Sequence, residues 1–238
     1  MPFKILISDK LDNEAVEIFQ KAEGLEVDVK VGLPPEELAG IIGDYDGLIV
    51  RSATKVTANI ISKASRMKII GRAGVGVDNV DLNAATERGI IVMNTPGGNT
   101  VSTAEHAWSL MMSLARNVPQ ATQSMREGNW EKTKFKGVEL FGKTLGVIGV
   151  GRVGSIVGSR AMAFGMKVLA CDPYTAEEQT RKLGFEPCDL ERVYREADFI
   201  TFHCILTDET RHMIGDETLA KMKKGVRIIN CARGGIID

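Results

Sequence analysis

Short apolar runs alternate with amphipathic stretches through the first 95 residues. Five runs have the length and composition of buried β-strands: residues 4–9, 25–30, 47–51, 68–74 and 89–95. The stretches between them repeat apolar positions at helical spacing, and Asp12, Thr57 and Asp81 stand where helix N-caps are expected. Strands that alternate with helices pair in parallel, so this half is predicted to form a doubly wound α/β sheet.

A turn-forming cluster at residues 96–99 interrupts this pattern, and it predicts two domains, at 1–98 and 99–238. A helical stretch then runs from residue 100 to about 127. Its apolar positions cover too much of the surface for a solvent-facing helix, which predicts packing between domains or subunits around Trp108. Pro119 is expected to kink or break the stretch.

The alternation resumes after a polar connecting segment at 128–143. Five further strands are predicted at 144–150, at 167–171, near 185, at 198–204 and at 226–232, with helices between them. One of these helices is expected at 216–224. A complete dinucleotide-binding sheet has six strands, so this second α/β domain is expected to be incomplete.

A glycine fingerprint lies between the first of these strands and the helix after it. Gly149, Gly151 and Gly154 form G-x-G-x-x-G, and the next strand ends in Asp172. Strand, glycine turn, helix, strand and acidic residue are together the signature of a dinucleotide site. The Asp172 carboxylate would bind ribose hydroxyls and repel a 2′-phosphate, which favours NAD over NADP. The alternative is a glycine-rich turn that serves packing alone.

The composition excludes several classes of protein. A formal net charge of −1 gives no sign of a nucleic-acid partner, and no apolar run approaches the ~20 residues that cross a membrane. The N-terminus lacks the features of a signal peptide. Four cysteines without C-x-x-C spacing are expected to be free thiols in a cytoplasmic protein, and three scattered histidines predict no metal site.

Four motifs together resemble the D-2-hydroxyacid dehydrogenases. RAGVGVDNVD at 72–81, VMNTPGGNTVSTAEH at 92–106, the fingerprint, and NCARGGIID at 230–238 follow one another as in that family. The resemblance covers essentially the whole chain. It implies a flavodoxin-like substrate domain followed by a Rossmann NAD-binding domain, and a homodimer or homotetramer formed through residues 100–127.

The resemblance also implies an activity. Residues 47–56 and 115–140 are most similar to the members that use NAD to oxidise 3-phosphoglycerate, a phosphorylated 2-hydroxy acid, to 3-phosphohydroxypyruvate at the start of serine biosynthesis. Arg233 matches the catalytic arginine of these enzymes, since a planar guanidinium can hold a carboxylate and polarise a carbonyl. The alternative is an arginine in a surface ion pair. The family's acid/base histidine and its glutamate partner would lie beyond Asp238.

Further site residues are implied in the same way. The cofactor-binding positions are Val75, Gly149, Gly151, Arg152, Val153, Gly154, Asp172, His203, Cys204, Cys231 and Ala232. The substrate-binding positions are Arg51, Arg72, Gly74, Gly76 and Asn99. Without the resemblance, Arg51 could be a surface charge, the 74–76 segment a tight turn, and His203 a packed core residue.

Two other functions stay open at this stage. One is a related dehydrogenase acting on glycerate or hydroxypyruvate. The other is a scaffold that binds NAD without turnover, because no histidine here matches the family's base. The resemblance further implies that a later segment completes the first domain, so apolar surface is expected to be uncovered on both domains.

Overall fold

The computed structural model describes residues 2–238, which separate into two compact units, one up to Asn99 and the other Thr100–Asp238. Each unit contains one five-stranded parallel sheet. The α/β class predicted from the alternation of strands and helices is therefore confirmed.

The first unit has the strand order β2-β1-β3-β4-β5, which is the flavodoxin-like order. Its strands are β1 (Phe3–Ile7), β2 (Leu25–Val29), β3 (Gly47–Val50), β4 (Ile69–Arg72) and β5 (Ile91–Asn94). Its helices are α1 (Asn13–Lys21), α2 (Pro35–Ile41), α3 (Ala58–Lys63) and α4 (Leu82–Glu87), with a 3₁₀ turn at Ile42–Asp44.

Capping side chains fix where these helices begin. Asp12 accepts a hydrogen bond from the main-chain nitrogen of Glu14 at 3.1 Å, and Asp81 accepts one from Ala84 at 3.0 Å. Both carboxylates satisfy donors that have no acceptor within the helix. The predicted helix starts at Asp12 and Asp81 are confirmed.

One face of the first sheet is better covered than its β5 edge. Leu6, Leu48 and Ile70 are fully buried in a single apolar cluster with α2 and α3. On β5, by contrast, Ile91 is 61% exposed and Met93 is 54% exposed. The first unit therefore presents apolar side chains at its β5 edge.

The second unit begins with a helix pair, α5 (Thr100–Arg116) and α6 (Val118–Arg126). Asn117 separates them in a left-handed conformation with a φ of 53°, and Pro119 lies in the first turn of α6. Proline suits that position because it lacks the N–H that the first turn leaves unpaired. The break predicted near Pro119 is confirmed, with its turning point two residues earlier.

The second sheet has the order β10-β9-β6-β7-β8, which reproduces five of the six positions of a Rossmann sheet. Its strands are β6 (Thr144–Ile148), β7 (Lys167–Cys171), β8 (Glu186–Pro187), β9 (Phe199–Phe202) and β10 (Arg227–Asn230). Its remaining helices are α7 (Arg152–Ala163), α8 (Glu177–Lys182), α9 (Leu190–Glu196) and α10 (Asp216–Leu219), with a 3₁₀ turn at Gly234–Ile236.

Helix α10 is shorter than the predicted span of 216–224. The nitrogen of Met222 donates to the Leu219 carbonyl, a three-residue bond that tightens the last turn. Gly225 then reverses the chain with a φ of +85° so that β10 can start at Arg227. The apolar spacing predicted a longer helix because it did not reveal this reversal.

Trp108 packs inside the second unit and is only 7% exposed. Its Nε1 donates to the Val157 carbonyl at 3.3 Å, and its ring stacks on Phe164 with centroids 4.8 Å apart. The ring of Trp108 therefore fastens α5 to α7 within this unit, and the predicted contact between domains or subunits around it stays a prediction. Within residues 2–238, no helix has the length and apolar character to cross a membrane.

Candidate functional site

The glycine fingerprint forms the turn between β6 and α7. Gly149 has a φ of +92°, in the left-handed region that favours glycine. A Cβ at this position would also lie 2.8 Å from the main-chain nitrogen of Cys204 and 2.9 Å from the carbonyl oxygen of His203. The turn thus requires glycine for its backbone angle and for the close approach of the segment after β9.

The other two glycines have opposite surroundings. Gly151 is the N-cap of α7, and no atom lies within 4 Å of the place where its Cβ would stand. A Cβ on Gly154 would instead overlap the carbonyl oxygen of Gly149. Arg152 and Val153 begin α7, where main-chain N–H groups have no acceptor within the helix. Open space before these donors fits the diphosphate of a dinucleotide.

Asp172 follows β7 and lies beside the fingerprint turn. Its Oδ2 accepts hydrogen bonds from the nitrogen of Val150 at 2.7 Å and from Oγ1 of Thr175 at 3.1 Å. Its Oδ1 accepts one from the nitrogen of Tyr174 at 2.9 Å. These bonds fix the carboxylate at the strand edge, and a carboxylate has further lone pairs for ribose hydroxyls. The sequence indicated the position of Asp172 but not its bond to the turn.

His203 and Cys204 follow β9 and border the same turn. Nε2 of His203 lies 3.0 Å from Oγ1 of Thr201, which is fully buried. Burial lowers the pKa of His203 to about 4, so its ring is neutral at neutral pH. Burial also raises the pKa of the Cys204 thiol. Neither group is suited to proton transfer near neutral pH, and both can serve as walls of a site.

The turn after β10 carries Cys231, Ala232 and Arg233. Asn230 organises it, because its Nδ2 donates to the Arg233 carbonyl at 2.8 Å and its Oδ1 accepts from the Ala232 nitrogen at 3.0 Å. Nη1 of Arg233 donates to the Ala232 carbonyl at 2.9 Å. Burial raises the pKa of the Cys231 thiol, which disfavours a nucleophilic thiolate. The sequence motif singled out Arg233 but not Asn230, whose side chain folds the turn as asparagine often does.

The predicted substrate residues of the first unit follow three neighbouring strands. Arg51 follows β3, Arg72 ends β4, and Asn99 lies in the segment after β5. Because the three strands are parallel and adjacent, their carboxyl ends lie side by side. Arg51 is exposed, and its Nη1 donates to the carbonyl of Lys10 at 3.3 Å.

The Arg72 guanidinium folds over the loop that contains Gly74, Val75 and Gly76. A Cβ on Gly74 would overlap Nη1 of Arg72, so any side chain there would displace the guanidinium. Nε of Arg72 is buried and finds no hydrogen-bond partner in residues 2–238. Such a donor costs free energy until an acceptor reaches it, which fits an anion site. Nδ2 of Asn94 holds the loop by donating to the Val75 carbonyl at 2.6 Å.

Comparisons with known proteins agree with these features. The family model for the NAD binding domain of D-isomer specific 2-hydroxyacid dehydrogenases matches residues 108–238. A D-3-phosphoglycerate dehydrogenase of Synechocystis sp. is 51% identical over 235 residues, which make up 99% of this chain and 42% of that protein. The chain thus spans less than half the length of this curated relative.

Solved structures extend the similarity to the three-dimensional fold. The TT0316 protein of Thermus thermophilus matches 99% of this chain with a TM-score of 0.90 and 36% identity, over 75% of its own chain. The D-lactate dehydrogenase of Aquifex aeolicus, solved with NAD and lactic acid, matches 99% with a TM-score of 0.87 and 32% identity, over 70% of its own chain. This chain therefore belongs to the D-isomer specific 2-hydroxyacid dehydrogenase family, and residues 108–238 lie in its NAD binding domain.

Proposed function

We propose that this chain carries the NAD-binding and substrate-binding groups of a dehydrogenase that oxidises 3-phosphoglycerate at C2. The observation that carries the proposal is that one chain contains both an open dinucleotide turn at Gly151 and, in its other unit, arginines at neighbouring strand ends. A trianionic substrate needs several cationic partners, and Arg51 and Arg72 lie at neighbouring strand ends. The 51% identity to a protein named D-3-phosphoglycerate dehydrogenase supports this choice of substrate.

The residues of the second unit divide the work of the reaction in this proposal. Bound NAD would supply the acceptor for the hydride that leaves C2. The N–H groups at the start of α7 would hold its diphosphate, Asp172 would hold a ribose, and His203 and Cys204 would line the adenine side. The Arg233 guanidinium binds the substrate carboxylate and stabilises negative charge on the C2 oxygen.

The first unit supplies the remaining substrate contacts in this proposal. Arg51 binds the phosphate, and Arg72 reaches the substrate from the next strand end. The main-chain N–H groups of Gly74 and Gly76 receive a substrate oxygen, and Asn99 donates a hydrogen bond nearby. Val75 contacts the cofactor.

None of the three histidines of this sequence is proposed to accept the proton of the substrate C2 hydroxyl. His106 is exposed on α5, and His203 is half-buried with Nε2 beside Thr201. His212 is 53% exposed, with Nδ1 3.9 Å from a carboxylate oxygen of Asp238. NAD binding without turnover therefore stays the alternative against which the dehydrogenase is tested.

Turnover and binding measurements separate the two candidates. NADH formation with 3-phosphoglycerate supports the dehydrogenase, whereas NAD binding without NADH formation supports the non-catalytic alternative. The substrate is tested with Arg51→Ala, which is expected to raise the KM for 3-phosphoglycerate roughly 30-fold and the KM for D-glycerate less than about 3-fold.

Arg66→Ala is the matched control for Arg51→Ala, because it removes the same charge from an arginine that pairs with Asp46. Both KM values should stay within about 2-fold of the parent. Equal losses for the two substrates in Arg51→Ala would exclude a phosphate-specific role for Arg51 and favour a glycerate-type dehydrogenase.

Association between copies through residues 100–127 is part of the same proposal. Val101, Leu110 and Leu114 are exposed on α5 and give it an apolar surface, although Trp108 is turned inward. Sedimentation velocity of the parent and of Leu110→Glu would test this association. A monomeric parent would contradict it.

A further inference from the structure

The loop after β3 is held in place by the buried carboxylate of Asp9, which follows the neighbouring strand β1. Asp9 is only 3% exposed, and its Oδ2 accepts a hydrogen bond from the main-chain nitrogen of Arg51 at 2.6 Å. Its Oδ1 accepts from Oγ1 of Thr54 at 2.7 Å, and the Thr54 nitrogen lies 3.1 Å from both carboxylate oxygens. Oγ of Ser8 lies 3.1 Å from the Thr54 hydroxyl. One carboxylate thus fixes both ends of the segment from Arg51 to Thr54.

The same segment is held from a second side by Asn79. Nδ2 of Asn79 donates to the carbonyls of Arg51 and Thr54, each at 2.7 Å. Its own main-chain carbonyl accepts from the nitrogen of Val56 at 2.7 Å. Asn79 belongs to the loop after β4 that also contains Gly74. It therefore joins the loop of Arg51 to the loop of Gly74 and Gly76.

These contacts orient the main chain at Arg51 and leave its guanidinium at the surface. Asp9 accepts from the Arg51 nitrogen, whereas Nη1 of Arg51 donates to the Lys10 carbonyl. A buried carboxylate carries a large desolvation penalty, which its hydrogen bonds here offset. A surface loop can close without a buried carboxylate. The presence of Asp9 beneath the Arg51–Thr54 segment therefore indicates that the position of this segment is important for function.

We propose that Asp9 and Asn79 are positioning residues for the substrate-phosphate contact of Arg51. The proposal rests on the function proposed above, in which Arg51 binds the phosphate of 3-phosphoglycerate. Asp9 fixes the main chain at Arg51 relative to β1. Asn79 fixes the same main chain relative to the Gly74–Gly76 loop. The distance between Arg51 and the main-chain amides of that loop is therefore held constant.

Direct binding to the full chain tests this proposal without requiring turnover. Calorimetric titrations would measure the dissociation constants of 3-phosphoglycerate, D-glycerate and NAD for Asp9→Asn and Asn79→Ala. Each substitution is expected to weaken 3-phosphoglycerate binding roughly 10-fold, and to change D-glycerate and NAD binding less than about 2-fold. Asp12→Asn is the matched control, because it changes an exposed carboxylate that caps α1, a position that asparagine fills equally well.

Thr54 separates positioning from general destabilisation. Thr54→Ser keeps the hydroxyl that bonds Asp9 and should retain parental affinity for 3-phosphoglycerate, whereas Thr54→Val should lose it to the extent of Asp9→Asn. In the Arg51→Ala background, Asp9→Asn should weaken binding by less than about 2-fold, since the group that it positions is gone.

The outcomes distinguish the two proposals. If Arg51→Ala does not weaken 3-phosphoglycerate binding, the phosphate role of Arg51 is wrong and positioning of that contact fails with it. If Arg51→Ala weakens binding but Asp9→Asn and Asn79→Ala do not, only the positioning role is overturned. Equal weakening of all three ligands, including NAD, would likewise overturn it in favour of a purely structural role.

Discussion

The carboxyl edges of the two sheets differ in how their loops are shaped. The edge of the first sheet is crossed by side-chain hydrogen bonds, from Asp9 and Asn79 to the Arg51 loop and from Asn94 to the Val75 carbonyl. The edge of the second sheet has such bonds at Asp172 and Asn230, but its fingerprint turn is shaped by the absence of side chains at Gly149, Gly151 and Gly154. The first edge thus depends on polar side chains, and the fingerprint turn of the second depends also on space.

The difference follows from the ligands proposed for each edge. A small polyanion is recognised by cationic side chains, which need other side chains to hold them in place. A dinucleotide diphosphate is recognised by main-chain N–H groups. This recognition requires only that no side chain keeps the diphosphate away from the main chain. Substitutions should therefore affect the first edge through lost hydrogen bonds and the second through steric overlap.

The largest effect is expected at Gly154. Gly154→Ala places a Cβ against the carbonyl oxygen of Gly149, so the turn must shift. We expect a loss of about 3 kcal/mol in unfolding free energy and at least a roughly 100-fold loss in NAD affinity. Urea denaturation and calorimetry measure the two quantities.

Gly151→Ala is the control within the same fingerprint. Its Cβ meets no atom within 4 Å, so the unfolding free energy should stay within about 1 kcal/mol of the parent. NAD affinity should still fall, because the methyl group enters the space proposed for the diphosphate. Parental NAD affinity in this variant would show that the space is not used.

The next effect is a dependence of stability on pH that is centred on the second edge. His203 has its pKa lowered to about 4 by burial, compared with 6.5 when unfolded. Its contribution is complete above pH 6.5 and is lost as the pH falls towards 4, because the unfolded state takes up the proton first. The loss should reach about 3 kcal/mol, and His203→Asn should remove this slope.

Asp9 gives the first edge a different pH window. Burial raises the pKa of Asp9, but hydrogen bonds from Thr54 and Arg51 outweigh it and hold the pKa below 3.8. Its contribution is therefore complete above pH 3.8 and lost only below it.

The control for His203→Asn is His212→Asn, which replaces an exposed histidine. Urea denaturation at several pH values should give this control the parental dependence of unfolding free energy on pH. If His203→Asn also keeps the parental dependence, the acid sensitivity lies elsewhere in the protein.

The smallest effect is expected at Asn94. Asn94→Ala removes the 2.6 Å hydrogen bond to the Val75 carbonyl and should lower the unfolding free energy by about 1 kcal/mol. Gln20→Ala on the exposed side of α1 is the control and should change it by less than about 0.5 kcal/mol. Asn94→Ala also loosens Val75, a proposed cofactor contact, so NAD affinity should fall, but by less than in Gly151→Ala. Equal losses in the two variants would contradict the separation of the two edges.

The sequence was most informative where local chemistry determines structure. Helix caps at Asp12 and Asp81 and the alternation of strands and helices followed from residue type and spacing, because caps and alternation act over a few residues. The inward position of Trp108 was not predictable, since helical periodicity does not say which neighbour an apolar face meets. The shortness of α10 was missed because it depends on the chain reversal at Gly225.

The residues of the candidate site also differ in whether local sequence could identify them. Gly149 and Asp172 were found from a motif whose spacing is a direct consequence of the turn it forms. Asp9, Asn79 and Asn230 were not found, because each acts by bonding to main-chain groups of other residues. The substrate and cofactor roles of the motif residues stay predictions until the binding measurements are made.

The bond between Asp172 and the Val150 nitrogen has a consequence for redesign. Replacing an acidic residue at this strand end is the obvious way to make such a protein accept NADP. Here the same carboxylate also ties down the fingerprint turn and Thr175, so its removal would release three hydrogen bonds. A change of cofactor preference in this chain therefore requires a second substitution that supplies a new acceptor for the Val150 amide.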